Sequence, residues 1–445
     1  MNGENKMPKK LMICFGTFIA AIALLWSALI LTSLIPNEAI RKNMEKNVEY
    51  YNGIDPFYQS GSRSSVTDNY ADVILLNVMW NIKSDDPIVS SLDTKYYDGN
   101  DGINDYGENY GFYAALNGAE PNTDYSRYWH GSTVFLRPLM LITDVNGIKL
   151  IGAFSALILL VLDCVLLFKK KQRFAAAALP VSFVLVRMWN IRLALEYQPV
   201  VLVCLAMIPL FVIFENKGDL ALAVLSVISG AMTAFFDFLT AETLTILIPL
   251  IIIMIMRREN DSFRGFRSEL MTSVKCGLAW LFSYAGAFIS KWALASAFTG
   301  ENKFMAAISS AEERIYGEAE NTPAALQILL APLANLSALF GGSERISPAN
   351  IIAGLLITFL IFGGLYLITR SGRNGNGFAP LMLIIGLLPY LRYIVLNNHS
   401  YLHDFFTYRA QAASVLALLA AIWYCSEFAV KAVPTAKKQH KGRRR

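Results

Sequence analysis

Ten apolar runs, each about as long as a bilayer's hydrocarbon core is thick, constrain this chain more than anything else in it. They lie at about Leu11–Ile35, Ile148–Phe168, Phe174–Trp189, Tyr197–Phe214, Leu220–Phe236, Thr240–Met256, Thr272–Ala293, Ile351–Ile368, Phe378–Leu396 and Ala410–Ala429. Hydrophobic residues make up 55% of the 445 positions, which excludes an ordinary soluble domain. The expectation is an all-α polytopic membrane protein with about ten transmembrane helices. Leu11–Ile35 is too long for a signal-peptide core and reads as an uncleaved first span. Residues 1–35 then form the N-terminus and first helix, 36–146 an extracytoplasmic loop with membrane-surface helices, 147–430 the bundle with a second external loop at 295–346, and 431–445 a basic tail.

Charge fixes the orientation. Residues 36–146 hold 16 Asp and Glu against 8 Lys and Arg. Lys169-Lys170-Lys171 with Arg173, Arg257-Arg258 with Arg264 and Arg267, Arg370 with Arg373, and the tail through Arg443-Arg444-Arg445 fall on the opposite side. Positive loops stay cytoplasmic, so both termini are expected there. The net charge of +5 therefore reflects topology, and no nucleic-acid partner is implied. Ala324–Phe340, broken by Pro332, would invert every later loop if it crossed, so it is expected to remain external. The five cysteines sit in or beside apolar runs without pairing or metal spacing, so no disulfide is expected.

Polar chemistry gathers on the extracytoplasmic side. Ser65 or Thr67 followed by Asp68 and Asp72 and then Val73–Trp80 reads as a helix start leading into a segment apolar enough to lie on the membrane. Asp68 and Asp72, four apart, share a face and can raise one another's pKa, as a general base requires; two solvated first-turn acids are the plainer use of the same pattern. His130 and Arg137 lie in an aromatic stretch just before the second span. Asp237 and Glu242 occupy a tight turn among phenylalanines, where a carboxylate is costly. Arg192 and Glu196 are spaced to pair on a helix, and Asp163 reads as a boundary residue. The turn Leu396–Arg409 holds His399, His403, Asp404 and Arg409. Either it is an interfacial aromatic belt or it grips an anion, and His399 and His403 at i and i+4 beside Asp404 also have the spacing of a divalent-metal site. No P-loop, G-x-S-x-G or H-E-x-x-H motif occurs, which removes support for nucleotide chemistry, serine hydrolysis and zincin proteolysis.

With its many spans, an acidic first-loop helix start at Asp68 and Asp72, and functional residue types on the 237–242 and 399–409 turns, the chain resembles the GT-C superfamily of integral-membrane glycosyltransferases. It departs in one respect: in that family the acid follows the first span closely, whereas Asp68 lies well beyond Ile35, and the nearer Asp55 stands in a turn context. The resemblance implies transfer of a sugar from a polyprenyl-phosphate-linked donor to an envelope glycan or protein acceptor. It also implies Asp68 or Asp72 as base, His399, His403 and Arg409 around the phosphate, His130 and Arg137 near substrate, and Asp237 or Glu242 orienting acceptor or a divalent metal ion. A transporter or flippase of a lipid-linked saccharide and a non-enzymatic component of envelope assembly are the alternatives that the residues leave open.

Overall fold

A computed structural model describes residues 6–99, 109–317, 319, 322–370 and 377–425, the side chains of 6–8, 360–370 and 425 excepted. The basic tail, His440 and Arg373 lie outside them. The described residues are mostly helical, as expected, with one two-stranded antiparallel ribbon among them, Lys95–Tyr96 against Thr123–Asp124.

Among the described residues six helices are long and apolar enough to cross a membrane: Lys9–Ser33, Val145–Lys169, Leu195–Lys217, Asp219–Phe236, Phe378–Val395 and Asp404–Tyr424. The other four expected spans coincide with the helices Arg173–Leu185, Leu244–Glu259, Phe266–Thr299 and Pro348–Arg370. Large apolar side chains such as Leu24, Phe154 and Phe282 are more than half exposed. A surface of this kind is stable against lipid and costly against water.

Asp219–Phe236 packs along Phe266–Thr299 and Lys6–Ser33, Pro199–Phe214 along Leu244–Glu259, and Phe378–Val395 along Gln411–Cys425. The connections sort to two ends of this bundle. At one end Gln172 bonds Asn260 (3.2 Å), Tyr424 bonds Glu259 (2.5 Å), and Arg257 and Arg264 are tied to Glu215, Asp219 and Glu269 in one ionic network. The Glu215–Asp219 connection, whose side the charge pattern leaves ambiguous, thus belongs with the basic loops. At the other end the first loop meets the 187–197, 235–242, 299–347 and 397–409 segments. Among the described residues, the loops carrying Lys169–Lys171 and Arg257–Arg267 thus lie at the end opposite the acidic first loop.

The first loop is a folded cap. Its core joins Ile40, Met44 and Tyr51 of Asn37–Tyr51 to Leu76, Met79 and Trp80 of Asn69–Trp80, to Phe112, and to Met140. The Asn69–Trp80 helix is apolar because it fills this core, which corrects the expectation that it lies on the membrane. Its start is also corrected: Asp68 is the N-cap, accepting from the Ala71 amide (2.8 Å), while Thr67 donates to the Tyr58 carbonyl. Ala324–Leu339 packs at the cap end, with Asn335 donating to the Ser400 carbonyl and accepting from Thr407.

Candidate functional site

Asp68 and Asp72 occupy consecutive turns of one helix start, and the structure gives them different work. Asp72 is fully buried and saturated: Lys149 Nζ lies 2.5 Å away, the Tyr51 hydroxyl donates at 2.9 Å, and the Leu195 amide donates at 2.7 Å. A carboxylate held by a cation and two donors is a tie between cap and bundle. Asp68 spends one oxygen on the Ala71 amide, and its carboxyl meets that of Glu196. Burial, with the Asp72 charge adding, pushes Asp68 up against the opposing pull of the Ala71 N–H. Two adjoining carboxyls in a buried setting favour sharing one proton.

Glu196 reaches Asp68 because the chain at 188–197 is not a regular helix. Met188–Leu193 and Leu195–Tyr197 are short 3-10 turns joined by extended Ala194. The i, i+4 pairing expected of Arg192 and Glu196 does not form: Arg192 is exposed and Glu196 turns inward. Its Oε1 is enclosed without a hydrogen-bond partner. Glu196 lines a cavity of about 30 Å³ with Ala71, Ile74, Leu75, Tyr125, His130 and Phe238. His130 Nε2 lies 3.0 Å from the Tyr125 carbonyl, so that nitrogen carries the proton and Nδ1, buried and unbonded, is left as an acceptor. Burial pulls His130 down to about 3, which keeps it neutral.

Arg409 is the second anomaly. It is 2% exposed, its guanidinium lies 4.4 Å from the Tyr197 ring centre and 5.2 Å from that of Tyr408, and none of its three nitrogens makes a well-aligned hydrogen bond, the Tyr408 hydroxyl being a polar group beside them. The Tyr408 hydroxyl beside it donates to the Val186 carbonyl (2.9 Å). A buried, unmatched guanidinium costs several kcal/mol, on the order of what an anion would return. Asp68, Arg409 and Glu196 all lie close enough to the Tyr197 hydroxyl to act on it electrostatically. Tyr197 carries Arg409 on its ring and donates its hydroxyl to the carbonyl of Val66 (3.2 Å), close in the chain to Asp68.

The other expected residues hold this end of the bundle together. Arg137 donates to the carbonyls of Thr32, Ile35 and Met79 and to Asn37 Oδ1, closing the ends of two helices and committing all three of its nitrogens. Glu242 is paired with Arg392 (2.8 Å). Asp237 accepts from the Thr240 amide and hydroxyl, and burial with the Glu242 charge pushes it up to about 7. His399 bonds the Leu239 carbonyl (3.0 Å), and Asp404 is taken by Arg63 and Arg345. His403 stacks on Phe406, with Nδ1 buried and unbonded, and burial pulls it down to about 3. The His399, His403 and Asp404 donors do not converge on one point, contrary to the metal reading. Among the described residues only Asp93, Asp124 and Glu301 come close enough to share a cation, and Lys303 Nζ already lies 2.9, 2.6 and 2.6 Å from them.

Three non-glycine residues at this end have left-handed backbones, His130 (φ 52°), Arg187 (φ 49°) and Leu239 (φ 65°). Such conformations cost about 1 to 3 kcal/mol each and persist where surroundings impose them. Here the bend at Leu239 turns its carbonyl toward both Arg392 and His399. Glu196, Tyr197, Lys149 and Arg187 are the residues that sequence reasoning missed or set aside. The one signal for Glu196 was its position among charged residues on an external turn.

A scan against protein-family models gives no match, and searches of curated proteins and of solved structures give none either.

Proposed function

We propose that the chain is an integral-membrane glycosyltransferase that moves a sugar from a polyprenyl-phosphate donor to an envelope glycan or protein acceptor on the extracytoplasmic face. One observation carries the reading: a buried guanidinium with no well-aligned hydrogen bond, Arg409, lies over Tyr197, beside an acid pair made of buried Asp68 and partly buried Glu196. Glycosyl transfer to a hydroxyl needs these two functions side by side. The acceptor oxygen bonds to the anomeric carbon, the bond from that carbon to the phosphate oxygen breaks, and the electron pair leaves with the phosphate. Asp68 takes the acceptor proton, with Glu196 sharing the charge, and Arg409 matches the developing phosphate charge. His130, neutral and with Nδ1 free to accept, orients a substrate hydroxyl.

In this reading the chain crosses the bilayer ten times, with both termini cytoplasmic. Support comes from the grouping of Lys169–Lys171 and Arg257–Arg267 at one end of the bundle and of the acidic cap at the other.

The test is turnover of a lipid-linked donor by purified protein carrying Asp68→Asn or Glu196→Gln. Asn keeps the cap oxygen, so folding should suffer by no more than about 1 kcal/mol while transfer is lost. Full turnover in both folded variants would remove the acid pair from the mechanism.

A further inference from the structure

A second cavity opens on the flank of the cap, away from the Glu196 chamber. It has a volume of about 290 Å³ and is lined by Tyr50, Thr67, Asn69, Asn146, Lys149, Leu150, Arg192 and Leu193. Its place in the fold is specific. Asn146 and Lys149 stand in the first turns of the Val145–Lys169 helix, and Arg192 lies in the Met188–Leu193 turn that leads into the Leu195–Lys217 segment. The cleft therefore sits where two membrane-length helices begin. Thr67 and Asn69 are the chain neighbours of Asp68, so the cleft reaches the back of the acid pair.

Its donors are unevenly used. Lys149 is engaged by Asp72 and Tyr51. Arg192 is exposed and the Asn146 side chain is exposed, and among the described residues neither side chain has an ion-pair or hydrogen-bond partner. The cleft thus carries one unmatched positive charge and a free amide. Below it, Leu150 on the cleft wall continues into Phe154, Leu157, Ile158 and Val161, all about half exposed or more on the same helix. A headgroup in the cleft would leave its hydrocarbon on that stripe.

We propose that this cleft binds the phosphate headgroup of a lipid, held by Arg192 and Asn146 with the chain against Leu150 and Phe154. The site is separate from Arg409 and stands whether or not sugar transfer is the reaction. A guanidinium fork suits phosphate oxygens, whereas an Arg that merely reaches for the headgroup region needs only charge and length.

The experiment uses full-length protein in phosphatidylcholine nanodiscs and a diazirine-bearing farnesyl phosphate, with crosslinks mapped to the 144–157 and 188–198 peptides. Wild type should label there, Arg192→Gln should label at least fivefold less, and Arg192→Lys should fall between. Asn146→Ala provides a second variant and should also label less. Competition then identifies the source: equal displacement by phosphatidylglycerol assigns the cleft to bilayer lipid, and displacement by farnesyl phosphate alone assigns it to prenyl carriers. Unchanged labelling in Arg192→Gln, equal labelling by the neutral diazirine alcohol, or displacement by inorganic phosphate at the same concentration would each overturn the proposal.

Discussion

Arg63 of the cap and Asp404 of the last turn, 341 residues apart, form a forked ion pair, with Nε 3.2 and 3.1 Å from the two carboxylate oxygens and a further contact from Nη2. Asp404 is completely buried and Arg63 largely so. Removing one partner leaves a charge without its match, at about 3 to 5 kcal/mol. Asp404→Asn and Arg63→Met should each lower stability by about 3 kcal/mol in denaturant titrations, and the double variant should recover part of that loss. Strict additivity would mean that the pair does not couple cap to bundle.

Asp72 and Asp68 should part company when each is changed to Asn. Asp72→Asn strands Lys149, so a loss of about 3 kcal/mol is expected, relieved by adding Lys149→Met. Asp68→Asn should be nearly neutral in folding. Thermal melts of the three variants distinguish these roles, and a severe loss in Asp68→Asn would make that residue structural.

Arg409 carries opposite expectations for stability and for function. Met has similar length and needs no acceptor, so Arg409→Met should stabilise the ligand-free protein by about 1 to 3 kcal/mol while removing donor turnover. Arg409→Lys keeps the charge and loses the fork, so turnover should fall although charge is preserved. A destabilised Arg409→Met would show that the guanidinium has partners.

His403 should make the fold acid-sensitive. Its pKa is about 3 in the folded chain against 6.5 ordinarily, so between those values the unfolded chain binds the proton and the folded one does not. The contribution present above pH 6.5 is therefore lost as pH falls toward 3. The drop in stability from pH 6.5 to pH 4.5 should be smaller in His403→Gln, by about 2 kcal/mol at most. Parallel pH profiles for the two proteins would contradict the neutral, buried imidazole.

Orientation can be read from single cysteines at two exposed positions in a cysteine-free background. Glu120→Cys in the cap should react with an impermeant thiol reagent on intact cells, and Asp261→Cys should react only after lysis. The reverse pattern would move the acid pair and Arg409 to the cytoplasmic side.

The helices and the sorting of loops were legible because apolar runs and loop charges are local properties. The concentration of polar residues in the 396–409 turn was legible for the same reason, whereas the sparse hydrogen bonding of Arg409 was not. What sequence concealed were partners distant in the chain. Asp72 looked equivalent to Asp68 until Lys149 and the Leu195 amide were placed around it. Asp404 looked like a metal ligand beside His403 because Arg63 lies far away in sequence. Glu196 was assigned to Arg192 on the assumption of helical spacing, and the extended Ala194 breaks that spacing.

The cap is fastened to the bundle through Asp72 to Lys149, through Lys291 to the Ser91 and Leu92 carbonyls, and through Arg63 to Asp404. These attachments fall on three different helices, and three non-collinear mounts leave a rigid body no axis to swing about. With the cap so held over the Glu196 cavity, a ligand coming from a lipid phase would have to enter sideways, between helices. Exchange at such a site would follow lateral diffusion in the bilayer, and its kinetics should respond to membrane fluidity more than to solvent viscosity.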